Sequence, residues 1–101
     1  MKQELVLQQV QKLKASEILR QTKLEQTICR CRRENKYCAI GAIAMGLGWD
    51  GENDYDAYNM VRKLVEYYED IITGIYRRND GTFFPQHSFS DIADWLETRG
   101  L

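Results

Sequence analysis

Thirteen consecutive residues, Tyr37 to Trp49, carry no charge and read Tyr-Cys-Ala-Ile-Gly-Ala-Ile-Ala-Met-Gly-Leu-Gly-Trp. This run constrains the fold more than any other segment. Ala39, Gly41, Ala42, Ala44 and Gly46 let neighbouring backbones approach closely, and the scarcity of β-branched residues favours a helix over a buried strand. A helix that is apolar on every face belongs among other helices rather than at a surface. Gly46 and Gly48 supply a stop for it. The run is too short to cross a bilayer. In a chain of 101 residues with 44% hydrophobic and 11% aromatic content, it predicts the centre of one folded domain, residues 1–101, rather than a disordered or multidomain protein.

The flanking segments carry helical signals. Residues 1–24 contain no Gly or Pro and are dense in Gln, Lys, Leu and Glu, which predicts an N-terminal helix, in one piece or restarted at Ser16, that extends from the core. Asp50 to Asp56 reads as a polar loop with an N-cap at Asn53 or Asp54. From Tyr55 the positions Tyr58, Val61, Leu64, Val65, Tyr68, Ile71 and Ile72 follow the three-and-four spacing of an amphipathic helix, with Thr73-Gly74 as a candidate break. Asn79-Asp80-Gly81 is a turn signal. Ser88-Phe-Ser-Asp91 opens a last helix, with Asp in the usual Glu or Gln position of the capping box. Ile92, Ala93, Trp95 and Leu96 form its buried stripe. The expected architecture is all-α: four or five helices around a central small-residue-rich helix.

Charge is unevenly distributed. Residues 1–49 carry nine Lys/Arg and four Glu, a net of +5; residues 50–101 carry five Lys/Arg and eleven Asp/Glu, a net of −6. Arg30, Arg32, Arg33 and Lys36 form the basic concentration, and Asp50, Glu52, Asp54 and Asp56 the acidic one. Either the two halves fold against each other and neutralise, or they present a bipolar surface to a charged partner. The overall net charge of −1 excludes a protein acting through bulk positive charge.

Chemistry-bearing residue types are few. Cys29, Cys31 and Cys38 with the single His87 invite a zinc reading, but C-x-C-x₆-C lacks the paired knuckle of a structural site. Three cysteines suit a reducing cytoplasm better than a disulfide framework. A cysteine–histidine site would use Cys38 or Cys31 as nucleophile, His87 as base and Asn79 or Asp80 as orienter. Cys38 lies in an apolar run, where burial makes a thiol inert. Asp50 to Asp56 places oxygen ligands at alternate positions, yet its glycine is second rather than sixth and Val61 stands at the twelfth position, so it is not a calcium loop. No catalytic residue, metal or cofactor is expected.

Two segments together resemble a family. Tyr37-Cys-Ala-Ile-Gly-Ala-Ile43, followed by Ile75-Tyr-Arg-Arg-Asn79-Asp80 and Ser88-Phe89-Ser-Asp-Ile92-Ala93-Asp94-Trp-Leu96, is similar in order and separation to small uncharacterised phage and prophage proteins. The resemblance implies a small helical cytoplasmic domain without an assigned activity, so it carries over no catalytic residue. The chain departs from that pattern at Cys29–Lys36 and at Gly81–His87.

The function expected is therefore a non-enzymatic interaction module, phage- or prophage-encoded, that binds and modulates a host protein or nucleoprotein complex, an inhibitor of the anti-CRISPR kind being the most concrete version. Its partner-binding residues would be Arg30, Arg32, Arg33, Lys36, Asp50, Glu52, Asp54, Asp56, Phe83 and Phe84, with Tyr55 a further exposed aromatic. The alternatives are a nucleic-acid binder using the Arg30–Lys36 segment and a cysteine-dependent enzyme. A homodimer through the N-terminal helix is compatible with each; a membrane partner is not expected.

Overall fold

The apolar run does form the central helix, but what lies against its N-terminus is a small sheet. In the computed structural model, which describes residues 13–66, 68–82 and 85–101, the chain runs α1 (Ala15–Gln21), β1 (Glu25–Gln26), β2 (Arg32–Arg33), β3 (Lys36–Tyr37), α2 (Ala39–Gly46), α3 (Asp54–Leu64), α4 (Glu69–Asp80) and α5 (Phe89–Thr98). Residues 1–12, the larger part of the predicted N-terminal helix, lie outside the described residues, as do Phe83 and Phe84.

The all-α expectation is overturned. The three strands form a mixed sheet in the order β1-β3-β2, which makes the fold α+β. β3 pairs with β1 in parallel (Gln26 opposite Tyr37) and with β2 antiparallel (Arg32 opposite Tyr37, Arg33 opposite Lys36). The physical reason is that each strand is two residues long, so no stretch of alternating apolar side chains marks it. The β2–β3 turn, Glu34-Asn35, lacks the Asn-Gly or Asp-Gly signature of a tight hairpin. Glu34 instead takes the left-handed conformation itself, at φ 57°.

Helix α2 begins at Cys38, whose sulfur accepts from the Gly41 N–H at 3.4 Å. Ala39, Ile40, Ala42, Ile43 and Ala44 are all buried, as expected of the centre of the domain. Gly41 is required for contact rather than for flexibility: a Cβ there would sit 1.9 Å from the Cys31 carbonyl oxygen. The missing side chain lets the β2 hairpin lie directly on the helix. Gly46 plays the same part against α1, where a Cβ would meet Ile18 at 2.4 Å.

The other helices bury the faces that their spacing predicts. Asn53 caps α3 by accepting from the Tyr55 N–H at 2.8 Å, and Ser88 caps α5 by accepting from the Asp91 N–H at 3.1 Å. The predicted break at Thr73-Gly74 does not occur, because α4 runs through it. The interruption falls between Leu64 and Glu69, where Glu66 adopts φ 59°. At Gly74 a Cβ would strike the Trp95 ring at 2.4 Å, so this glycine marks the crossing of α4 and α5. Gly81, at φ 72°, closes α4. Val61, Ile75, Ile92 and Leu96 meet the central helix in a single fully buried cluster.

Candidate functional site

The junction of the sheet, α2 and α4 holds the densest polar arrangement described. Asn79 is fully buried, on the face of α4 shared with Ile72 and Ile75. Its Oδ1 accepts from the Ala39 N–H (3.0 Å) and the Gln26 side-chain amide (2.8 Å), while its Nδ2 donates to the Thr27 carbonyl (2.8 Å) and to Asp80 Oδ1 (2.9 Å). Gln26 also donates to the His87 carbonyl at 2.7 Å, and Asp80 accepts from the Cys29 N–H at 3.0 Å. The Asn79 amide thus ties β1 and the residue after it to the start of α2, and Gln26 extends the network to the segment before α5. A buried polar group in a core must be paired, and a fully paired one fixes the arrangement around it.

Beside this hub lie two buried thiols. Cys31 immediately precedes β2 and Cys38 immediately follows β3, so the hairpin brings them face to face. The Cys38 N–H donates to the Cys31 carbonyl at 3.1 Å. The Cys38 sulfur accepts from the Gly41 N–H at 3.4 Å, with the neighbouring Cys31 thiol and the Ile40 N–H also favouring its thiolate, and the Cys31 thiol donates to the Asp54 carbonyl at 4.0 Å. The Cys31 thiol and the two N–H groups hold the Cys38 thiol below its ordinary value of 9.0 against the opposing effect of burial. Cys31 is pushed up, first by the neighbouring Cys38 and then by burial. Tyr58 is also raised, by burial and by the neighbouring thiols. Cys29 is exposed.

The candidate charged residues separate into two groups. Arg32 is half-buried and bound internally: its Nε donates to the Glu34 carbonyl at 2.9 Å and its Nη1 to the Gly51 carbonyl at 3.2 Å. Asp54 accepts from the Cys31 N–H at 3.4 Å. These bonds tie the hairpin to the acidic loop. Arg30, Arg33 and Lys36 on one side, and Asp50, Glu52 and Asp56 on the other, are exposed. Tyr55 beside them is 68% exposed. Among the described residues, no ion pair joins the two sets; the two that are formed run from Arg20 to Asp94 and Glu97, at 2.5 and 2.6 Å.

Arg77 and Arg78 immediately precede the hub residue Asn79 on α4. The Arg78 guanidinium stacks 3.9 Å from the centre of the Trp95 ring, which places it against α5. Among the described residues, no group of three or more His, Cys, Asp or Glu is arranged to hold a metal ion, and no helix is long and apolar enough to cross a membrane. An open groove of about 330 Å³ between α1 and α2 is lined by residues that include Leu13, Ile18, Leu24 and Met45, and among the described residues none of its walls is a cysteine, histidine or carboxylate.

Compared with known protein families, characterised proteins and solved structures, the chain gives no match. The geometry of the hairpin face and of the thiol pair is therefore what supports a function.

The sequence marks Asn79 as part of a turn signal or as the orienter of a nucleophile, not as the polar centre of the core. Its signal was present in the Ile72, Ile75, Asn79 spacing, which places an amide on a buried helix face. The pairing of Cys31 with Cys38 had no comparable local signal, because it depends on the two-residue turn between the strands.

Proposed function

We propose that this protein is a non-enzymatic interaction module that docks on a host protein complex through the face formed by the Arg30–Lys36 hairpin and the Asp50–Asp56 loop. The observation that supports this reading is the internal tie between the two segments. Arg32 and Asp54 lock the hairpin to the loop by hydrogen bonds to backbone, while their neighbours Arg30, Arg33, Lys36, Asp50, Glu52 and Asp56 stay exposed and form no ion pair with one another. Segments that merely neutralised each other would pair their charges. Here one residue from each set fixes the geometry, and the others present opposite charges side by side. Such a surface selects a partner of complementary pattern and speeds its approach.

Adjacent carboxylates disfavour a nucleic-acid backbone on the same face, so a protein partner fits the arrangement better than a duplex does. The resemblance to phage and prophage proteins supports a host complex as that partner, and an anti-CRISPR-type inhibitor is the specific form proposed.

The test titrates the full chain into cleavage reactions with purified CRISPR effector complexes and measures complex formation by sedimentation. Inhibition with a stable complex is expected, and both should be lost in the triple variant Arg30→Glu, Arg33→Glu, Lys36→Glu, whose folding is checked by circular dichroism. The reading fails if charge reversal at both patches leaves partner binding unchanged. It also fails if the chain binds bare DNA with a steep salt dependence, the mark of counterion release from phosphates, and binds no protein.

A further inference from the structure

We propose that Cys31 and Cys38 are an oxidation site: in the folded protein they close a reversible intramolecular disulfide on meeting a small oxidant of the peroxide class. The inference stands apart from the docking reading and rests on the hairpin register and the packing of the two sulfurs.

Arg32 lies opposite Tyr37 in the antiparallel β2–β3 ladder. One step outward, Cys31 lies opposite Cys38, and the bond from the Cys38 N–H to the Cys31 carbonyl marks them as a hydrogen-bonded pair. Such pairs hold their Cα atoms about 5.5 Å apart, within the roughly 4.4–6.8 Å that a disulfide spans. Directly opposed residues point to the same face of a ladder. Both side chains are buried at this end of the hairpin, the Cys31 sulfur against the Asp54 carbonyl and the Cys38 sulfur against the Gly41 N–H. The register thus brings the two thiols to adjoining positions, and closing the S–S bond draws their Cβ atoms in from the roughly 4.5–5.5 Å of an opposed pair to about 3.8 Å.

The chemistry suits the same pair. Cys38 accepts from the Gly41 N–H at 3.4 Å and the neighbouring Cys31 thiol favours its charged form, so its thiolate is stabilised at the start of an eight-residue helix, a location that activates cysteine. Cys31 keeps its proton. The Cys38 thiolate attacks one peroxide oxygen; the O–O bond breaks, and the departing hydroxide takes a solvent proton to become water. The resulting Cys38 sulfenic acid lies against Cys31. The Cys31 sulfur then attacks the Cys38 sulfur, its proton leaves with the hydroxyl as a second water, and the S–S bond forms as the S–O bond breaks. Two thiols and one peroxide give one disulfide and two waters, a two-electron oxidation. With Cys31 1% and Cys38 4% exposed, bulky reagents are excluded and a peroxide-sized oxidant is selected, whereas exposed Cys29 remains open to both.

The test treats the reduced full chain with hydrogen peroxide, blocks remaining thiols in denaturant and maps tryptic peptides without reduction. Arg30, Arg32, Arg33 and Lys36 separate the three cysteines into different peptides, so each pairing is read directly. The expected product joins the Cys31 and Cys38 peptides, is lighter than their sum by two hydrogens, and is released by dithiothreitol. Cys29→Ser gives the same linkage in the same yield, and a bulky maleimide labels only Cys29 in the native chain. Three results each overturn the proposal: recovery of Cys31 and Cys38 unlinked at a dose that oxidises Cys29, a dominant linkage through Cys29, or the same mixture of pairings from native and denatured chain. None of these readouts requires a substitution at the buried pair.

Discussion

Two of the places where the halves of the chain meet use opposite physics. At the α1–α5 surface, Arg20 reaches Asp94 and Glu97 through very short ion pairs in which all three groups are more than a third exposed. At the sheet–α2–α4 junction, the neutral amide of Asn79 makes four hydrogen bonds with no exposure at all. The ion pairs have the shorter distances, yet the amide carries the greater consequence. An exposed pair exchanges water for a partner at little net gain. A buried amide, once removed, leaves groups that neither water nor protein can satisfy. Distance ranks these contacts in one order, and burial reverses it.

The largest effect is expected at the closest approach within the junction. Gly41→Ala places a Cβ against the Cys31 backbone, which cannot yield as a flexible side chain would. We expect at least about 3 kcal/mol of destabilisation, seen as loss of the cooperative urea transition. A wild-type midpoint for this variant would mean that the hairpin does not sit on α2 as described. Asn79→Leu comes next, at about 2–3 kcal/mol, because the Ala39 N–H and the Thr27 carbonyl lose their partner inside the core. Chemical denaturation measures it, and a loss no greater than that of Arg20→Ala would dissolve the contrast between the two regions.

A smaller effect appears in alkali. The unfolded chain releases the Tyr58 proton near its ordinary value of 10.0, whereas the folded chain holds it to higher pH. Above 10.0 the folded state then binds more protons than the unfolded state, so stability falls as pH rises further. Cys31, also raised, acts in the same direction from 9.0. Tyr58→Phe should therefore flatten the alkaline decline in Tm while leaving Tm near neutrality little changed; an unaltered slope would exclude Tyr58 as a source. The smallest effect is at the surface: Arg20→Ala should cost less than about 1 kcal/mol, and wild type should lose a similar amount when salt screens the pair.

The helices were legible because each leaves a local trace. The small apolar run predicted α2, Asn53 and Ser88 predicted the starts of α3 and α5, and three-and-four spacing predicted the buried faces. Gly74 misled, since glycine reads as a break from sequence while here it admits the Trp95 ring between two helices. The exposed charges on the hairpin and the acidic loop were legible as clusters; the roles of Arg32 and Asp54 in tying those clusters together were not.

The one-dimensional pattern determined that this chain builds a domain around an apolar, small-residue helix, with opposite charges before and after it. Tertiary contact decided the rest: that Glu25–Tyr37 becomes a sheet, that Asn79 joins three segments, and that Cys31 meets Cys38. The reason is the range of the interactions involved. Helices and caps arise from neighbours within about four residues, so their signals are written locally. A strand two residues long gains its hydrogen bonds from partners elsewhere in the chain. The carbonyl that forbids a side chain at Gly41 is itself placed only when the hairpin closes on the helix.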